Sequence, residues 1–218
     1  YEEEIAAWQQ QRLTGLKRPH GWLSLIALDW LTEGENTVAG FGVVTLKKET
    51  VSYKSFPDIQ AKLRGEVFAS GILMTDVDKI EVGSRAFVVI RRGERCAVRM
   101  WDGNAESLKN FTGIERFPLS KEWKIDARWE VYPKPKPIKI QTVIPGYVDN
   151  YVVPGAAIFI IGGKEYQLEP VGEPGARQLF CIFADKTNGS DTYGAGRFLY
   201  ADPPKEGKVV LDFNKAIN

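Results

Sequence analysis

The chain has 218 residues, with 29 Lys and Arg against 28 Asp and Glu for a net charge of +1. A charged fraction of 26% and an apolar fraction of 44% belong to an ordinary globule, which excludes wholesale disorder. The near-neutral balance removes the basic field that nucleic-acid binding requires, so no nucleic-acid partner is expected.

In chain order, Glu2 to about Leu16 reads as a helix. Glu2, Glu3 and Glu4 suit its positive dipole end, Ile5, Trp8, Leu13 and Leu16 form an apolar stripe, and Gly15 and Pro19 are stop signals. His20–Leu31 is an apolar run that fits a short buried helix or a buried strand, followed by a turn at Glu33–Asn36. From Gly42 the signal is β, with strands expected at Val43–Lys47, Thr50–Lys54, Glu66–Leu73, Lys79–Val82, Ala86–Arg91 and Arg95–Trp101. Arg91–Arg95 reads as a hairpin loop, and the polar, broken stretch Asp102–Lys121 as the boundary between two halves.

The second half carries the clearest pattern. Trp123, Ile125, Ala127, Trp129 and Val131 alternate with Lys124, Asp126, Arg128 and Glu130, the period of a strand with one face buried. Pro133–Pro137 reads as an extended linker, since proline cannot continue a central ladder. Further strands are expected at Ile138–Ile144, Tyr147–Val153, Ala156–Ile161, Glu165–Pro170, Gln178–Ala184, Arg197–Tyr200 and Lys208–Phe213. Turns are expected at Pro145-Gly146, Pro154-Gly155, Gly162-Gly163 and Glu173-Pro174-Gly175. The fold class is therefore mostly β: an antiparallel sandwich or barrel-like architecture with an N-terminal helix. It divides into 1–115 (helix plus β-rich half) and 116–218 (C-terminal β-rich half), or forms one continuous domain.

The scarce residues limit the chemistry. One histidine, His20, and two cysteines, Cys96 and Cys181, are too few and too scattered for a structural zinc site of about four ligands. A hydrolytic triad would have to use His20, and no G-x-S-x-G elbow accompanies it. No phosphate-binding G-x-x-x-x-G-K-[ST] loop is present, and no cofactor or metal is expected. Both cysteines sit in apolar runs and read as buried free thiols. No stretch approaches the roughly 18 apolar residues of a membrane span. The start at Tyr1, without an initiator methionine, reads as a truncation, so cytoplasmic and exported locations both stay open.

Asp185–Leu199 departs most from strand patterning. It gathers Asp185, Thr187, Asp191, Thr192, Tyr193 and Arg197 among Gly189, Gly194 and Gly196. Glycines let backbone amides approach a ligand, and Arg197 can grip a carboxylate or phosphate with two parallel hydrogen bonds. The same residues also make good turn chemistry, because Asp and Thr side chains bond nearby amides; in that reading Arg197 pairs with Asp185 or Asp212 and locks the corner. A smaller cluster is Arg99–Asp102 with Ser107, and a third is Leu211–Lys215, where Asp212 and Asn214 would share a strand face opposite Phe213.

Several of these blocks resemble one family. Gly21–Leu25 with Asp29–Asn36 looks like the opening of DUF1684, a bacterial and archaeal family of unknown function. Arg99–Asp102 and Phe111–Pro118 resemble its central blocks. Phe183–Gly189 with Thr192–Leu199 is the most specific match, and Leu211–Ala216 also fits. The resemblance runs from about Glu3 to the last residue and implies no reaction. Family members usually continue with an Asn-Pro-Pro-Cys segment and a proline-rich tail, where this chain stops at Asn218. They often insert a Gly-Ser-x-Pro-Ser-Asn block after the Gly-Glu-Asn turn, similar to the start of a forkhead-associated sandwich. Here Val38–Leu46 runs straight on without it, so phosphopeptide reading is not carried over.

Three functions follow as expectations. The first is binding of a small polar or anionic ligand through Asp185, Thr187, Thr192, Tyr193, Arg197 and Asn214. The second is a hydrolase using carboxylates instead of histidine, with Asp185, Tyr193 and Asp212 as catalytic candidates and Asp102 beside them. The third is a structural or interaction domain with no small-molecule site. Oligomeric state has no signature in the sequence.

Overall fold

A computed structural model describes residues 1–141, 147–172 and 175–218. The chain is mostly antiparallel β with an N-terminal helix, α1 (Glu2–Leu16). Two compact units form: one is Gln9–Ile114, and the other joins Tyr1–Trp8 to Glu115–Asn218. Helix α1 crosses that division, with Ile5 buried and Trp8, Leu13 and Leu16 half-buried.

The unit Gln9–Ile114 is a sandwich of two sheets. Its strands are β1 (Leu25–Trp30), β2 (Gly34–Val38), β3 (Gly42–Lys47), β4 (Thr50–Ser55), β5 (Lys62–Leu63), β6 (Glu66–Val67), β7 (Ser70–Leu73), β8 (Lys79–Val82), β9 (Arg85–Arg92) and β10 (Arg95–Asp102). One sheet runs β1-β10-β9-β8-β5-β6 and the other β2-β3-β4-β7. Phe41, Val44, Val51, Ile80, Phe87, Val89 and Val98 fill the space between them. The expected Glu66–Leu73 strand is split between the two sheets as β6 and β7. The expected turn at Glu33–Asn36 is mostly strand β2. The run His20–Leu31 is not buried: it enters by a 3-10 turn at Trp22–Ser24 and becomes edge strand β1, leaving Trp22 68% exposed. One face of an antiparallel sheet can meet water, and Ile26 and Leu28 on alternate positions of β1 are exposed there. A one-turn helix α2 (Glu106–Lys109) follows β10.

The unit built on Glu115–Asn218 has β11 (Lys124–Gln141), β12 (Val148–Ile161), β13 (Lys164–Leu168), β14 (Leu179–Phe183), β15 (Arg197–Ala201) and β16 (Lys208–Asp212). Its four-stranded sheet runs β13-β12-β11-β16, and β14 pairs with β15. Ala127, Trp129, Ala157, Phe159, Leu179, Cys181, Leu199 and Leu211 form its core. The alternating face is narrower than the pattern suggests. Ile125, Ala127 and Trp129 turn inward, but Trp123 sits in a 3-10 turn at 46% exposure and Val131 is 70% exposed.

The prolines explain where the face ends. Pro133–Pro137 is no linker, because β11 continues through it as one strand. Its pairing with β12 shifts between Val131↔Gly155 and Lys136↔Val153, so residues bulge where prolines lack the ladder donor. Beside that bulge, the expected Pro154-Gly155 turn is also absent, and both residues lie within β12. A Cβ on Gly155 would run into the Glu130 carbonyl oxygen and stand 2.7 Å from Cζ2 of Trp129, so glycine is there for close approach. Gly162-Gly163 is a turn as expected, with φ of 56° and 77°, the pair of positive values a two-residue hairpin between Ile161 and Lys164 demands. Residues 142–144 of an expected strand, the Pro145-Gly146 turn and Glu173-Pro174 lie outside the described residues.

Candidate functional site

Strands β14 and β15 pair from Phe183↔Arg197 down to Leu179↔Ala201, so the chain between them must turn back within residues 184–196. Asp185 organises that corner. Its Oδ1 accepts from the Thr187 amide at 2.8 Å and from Thr187 Oγ1 at 2.5 Å, while its Oδ2 accepts from Arg197 Nη1 at 2.7 Å. Thr187 Oγ1 is also 3.0 Å from Thr192 Oγ1, and the Thr187 carbonyl accepts from the amides of Ser190, Asp191 and Thr192. Asn188 closes the knot from both sides. Its Oδ1 accepts from the Asp185 amide at 2.6 Å, and its Nδ2 donates to the Tyr193 carbonyl at 2.8 Å. This is the local side-chain-to-backbone bonding that draws Asp, Asn and Thr into turns.

Arg197 is the buried member of the pair, its side chain 14% exposed against 37% for Asp185. Its guanidinium lies 5.6 Å from the Phe117 ring centroid and 5.5 Å from that of Phe183, and its Nε is buried with no hydrogen-bond acceptor. Phe117 and Tyr193 are about half exposed at 54% and 48%. Burial works to raise the Asp185 carboxyl, but the bonds from Thr187 and Arg197 outweigh it and hold it below the ordinary carboxylate range.

The corner therefore brings together Asp185, Thr187, Thr192 and Arg197, with Tyr193 bonded through its backbone. Asp212 and Asn214 have other partners. They do not share a strand face: β16 ends at Asp212, which caps a 3-10 turn over Phe213–Lys215 by accepting from the Asn214 amide at 3.3 Å. The Asn214 side chain bonds Ser120 on both sides, donating to its carbonyl at 2.9 Å and accepting from its amide at 3.1 Å. It also donates to the Tyr1 hydroxyl at 2.8 Å, which in turn donates to Asp212 Oδ1 at 2.8 Å. Burial, followed by the bond to Asp212, pushes the Tyr1 phenol up to about 12. Lys215 Nζ is 3.7 Å from Asp212 Oδ2, an oxygen that is buried without a hydrogen bond.

In the other unit, Asp102 Oδ1 accepts from Ser84 Oγ and from the Asn104 amide, both at 2.8 Å, and Ser107 Oγ donates to the Leu23 carbonyl at 2.6 Å. The Asn104 amide, then the Ser84 hydroxyl, hold the Asp102 carboxyl low. Asp102 and Asp185 are thus both ionised near neutral pH, which suits charge pairing and not proton donation. Among the described residues, no group of three or more His, Cys, Asp and Glu stands together to hold a metal ion, and no helix is long and apolar enough to cross a membrane. Both cysteines are buried and free.

Sequence reasoning missed Phe117, Asn188, Tyr1 and Ser120. Asn188 stood within the selected segment, and its type is a turn signal. The others lie far from their partners in the chain and left no local mark.

No curated protein matches the chain. Among solved structures, it is similar to an uncharacterized protein from Haloarcula marismortui studied by solution NMR, with 25% identity and a TM-score of 0.43. That match covers 52% of this chain and 64% of the other, so the chain spans less than two thirds of its length. Residues 109–218 match the family described as Protein of unknown function (DUF1684). The matched half contains the Phe111–Pro118, Phe183–Leu199 and Leu211–Ala216 blocks, while the N-terminal blocks lie outside it. The chain, with the Asp185–Arg197 corner inside the matched range, is a member of the DUF1684 family.

Proposed function

We propose that this protein is a binding module for a small polar or anionic ligand at the 185–199 corner. One observation carries the reading. Arg197 uses one Nη on Asp185 and leaves its buried Nε without an acceptor. A buried donor without a partner costs about 1–3 kcal/mol, and such groups are rare enough in folded proteins to need a reason. A ligand oxygen on the Nε edge would supply the missing acceptor. Phe117, more than half exposed, flanks the guanidinium with its ring centroid 5.6 Å away. In this reading Asp185, Thr187 and Thr192 hold the corner, Arg197 binds, and Tyr193 borders the ligand.

The test is calorimetric or NMR titration with acetate, citrate and inorganic phosphate, on the wild type and on Arg197→Lys. Saturable binding is expected for at least one probe, weakened about ten-fold in Arg197→Lys, because an ammonium keeps the charge but not the planar fork. Unchanged binding in a folded Arg197→Lys variant, or no saturable binding by any probe, overturns it.

A further inference from the structure

A concave region lies wholly within the unit Gln9–Ile114. It is an open groove of about 560 Å³ between the β8–β9 turn, the residues after β10, His20, and the segment entering β5. That volume is within the range of small-molecule sites. Three of its side chains carry a full charge: Lys62, Glu81 and Arg85. Lys62 and Arg85 line it, and among the described residues neither has a carboxylate within ion-pair distance. Arg85 acts at longer range on the carboxyl of Asp102, whose Oδ1 accepts from Ser84 and Asn104. The guanidinium of Arg85 lies 5.4 Å from the Phe41 ring centroid and against Gly40.

The acid in the groove is already answered. Glu81 Oε1 is 2.9 Å from Lys79 Nζ. The same ammonium is 2.9 Å from His20 Nδ1. An ammonium only donates, so Nδ1 accepts and a neutral His20 carries its proton on Nε2, as a donor. The groove thus combines two cations outside direct ion pairs, Lys62 and Arg85, with a neutral imidazole donor and a carboxylate, Glu81, that is paired with Lys79.

We infer that this groove binds the phosphate group of a small phosphate monoester, with Arg85 and Lys62 meeting its charge and His20 Nε2 donating a hydrogen bond. Two positive charges outside direct ion pairs balance a dianion, whereas a lone carboxylate would leave one in excess. The fork of Arg85 suits two oxygens of a tetrahedral anion. The site is separate in residues from the corner around Arg197, so either one can fail without the other.

The experiment is an NMR titration of the full chain with inorganic phosphate and with glycerol 2-phosphate, and with acetate as the monoanion control. Saturable shifts are expected at Gly83, Arg85 and Asn104 with both phosphate probes, at lower concentration than with acetate. Lys62→Gln, at an exposed position, is expected to weaken phosphate about ten-fold, and Arg85→Gln at least as much. Arg197→Lys is expected to leave these shifts unchanged. Equal response to acetate and phosphate, full affinity in folded Lys62→Gln, or shifts confined to residues outside the groove would overturn the inference. Because Lys62 carries no packing role, its variant decides the matter even if Arg85→Gln fails to fold.

Discussion

Neutralising Asp185 is the most direct perturbation of the corner. Asp185→Asn keeps the side-chain shape and an oxygen for Thr187, but removes the charge facing Arg197 Nη1 at 2.7 Å. Arg197 is then left 14% exposed with Nε already unpartnered. Breaking a fully buried ion pair costs about 3–5 kcal/mol; with Asp185 37% exposed, solvent screening reduces the expectation to about 2 kcal/mol. The local readout is amide exchange at Phe198, whose N–H bonds the Ile217 carbonyl, and at Phe180, bonded to Val171. About 2 kcal/mol corresponds to roughly thirty-fold faster exchange.

The pH dependence gives a second check with a fixed sign. The folded Asp185 carboxyl is held below its unfolded value, so its stabilisation is full above the unfolded pKa of about 3.9 and disappears as pH falls through the lower folded value. The difference between wild type and Asp185→Asn must therefore close in acid. Replacing both partners, with Arg197→Met added, removes the stranded charge and should recover part of the loss. A single-variant cost below about 0.5 kcal/mol, a difference that stays constant into acid, or a double variant no better than Asp185→Asn would refute the reasoning.

Other outcomes follow from the same geometry. Gly155→Ala should cost about 2 kcal/mol in urea unfolding, because the new methyl meets the Glu130 carbonyl and the Trp129 ring. Leu199→Ala, at a fully buried core position, should cost about 3 kcal/mol by the same measurement. Cys181, its thiol pushed up to about 12 by burial, and Cys96, raised by the same cause, should resist iodoacetamide at pH 8 in the native protein and react once it is unfolded. Tyr1→Phe should lose about 1–2 kcal/mol, since Asp212 Oδ1 loses a donor in a buried setting.

Much of the architecture was legible because its signals are local. Helix α1 is legible from Glu2 to Leu16 in its acids, stripe and stop residues. Strand β8 and the Gly162-Gly163 turn are read as they stand, since period-two alternation and paired glycines act over a few residues. The failures sit where a distant partner decides. Pro133–Pro137 is a break by its own chemistry, yet β12 alongside keeps β11 extended through it. Pro154-Gly155 has turn composition, but the glycine is set by the Trp129 ring beside it. Ile26 and Leu28 are exposed because they lie on the outward face of β1, and which face is buried is decided by the partner sheet, which no window of sequence contains.

The corner shows the same division. The residue types around Asp185 pointed to a turn or a ligand, and the hydrogen bonds among Asp185, Thr187, Asn188 and Thr192 follow from spacings of a few residues. What lies beside Arg197 does not: Phe117 is 80 positions upstream, and nothing in its own block, Phe111–Pro118, points to that partner. Alternation puts Asp212 and Asn214 on one strand face, whereas in the structure Asp212 caps a 3-10 turn, a role that side-chain bonding to the next amides makes equally natural.

Beyond Arg128, β11 has β12 on one side, while its ladder with β16 has ended. The sequence along this stretch, Pro133-Lys-Pro-Lys-Pro137, offers few amide hydrogens and repeated positive charge to anything approaching in register. A free strand from another polypeptide would find no continuous row of donors to zip onto, and would meet lysines at alternate steps. The rim thus stays available to water without becoming a template for aggregation, and exchanging these prolines for valine or threonine would be expected to open it to such growth.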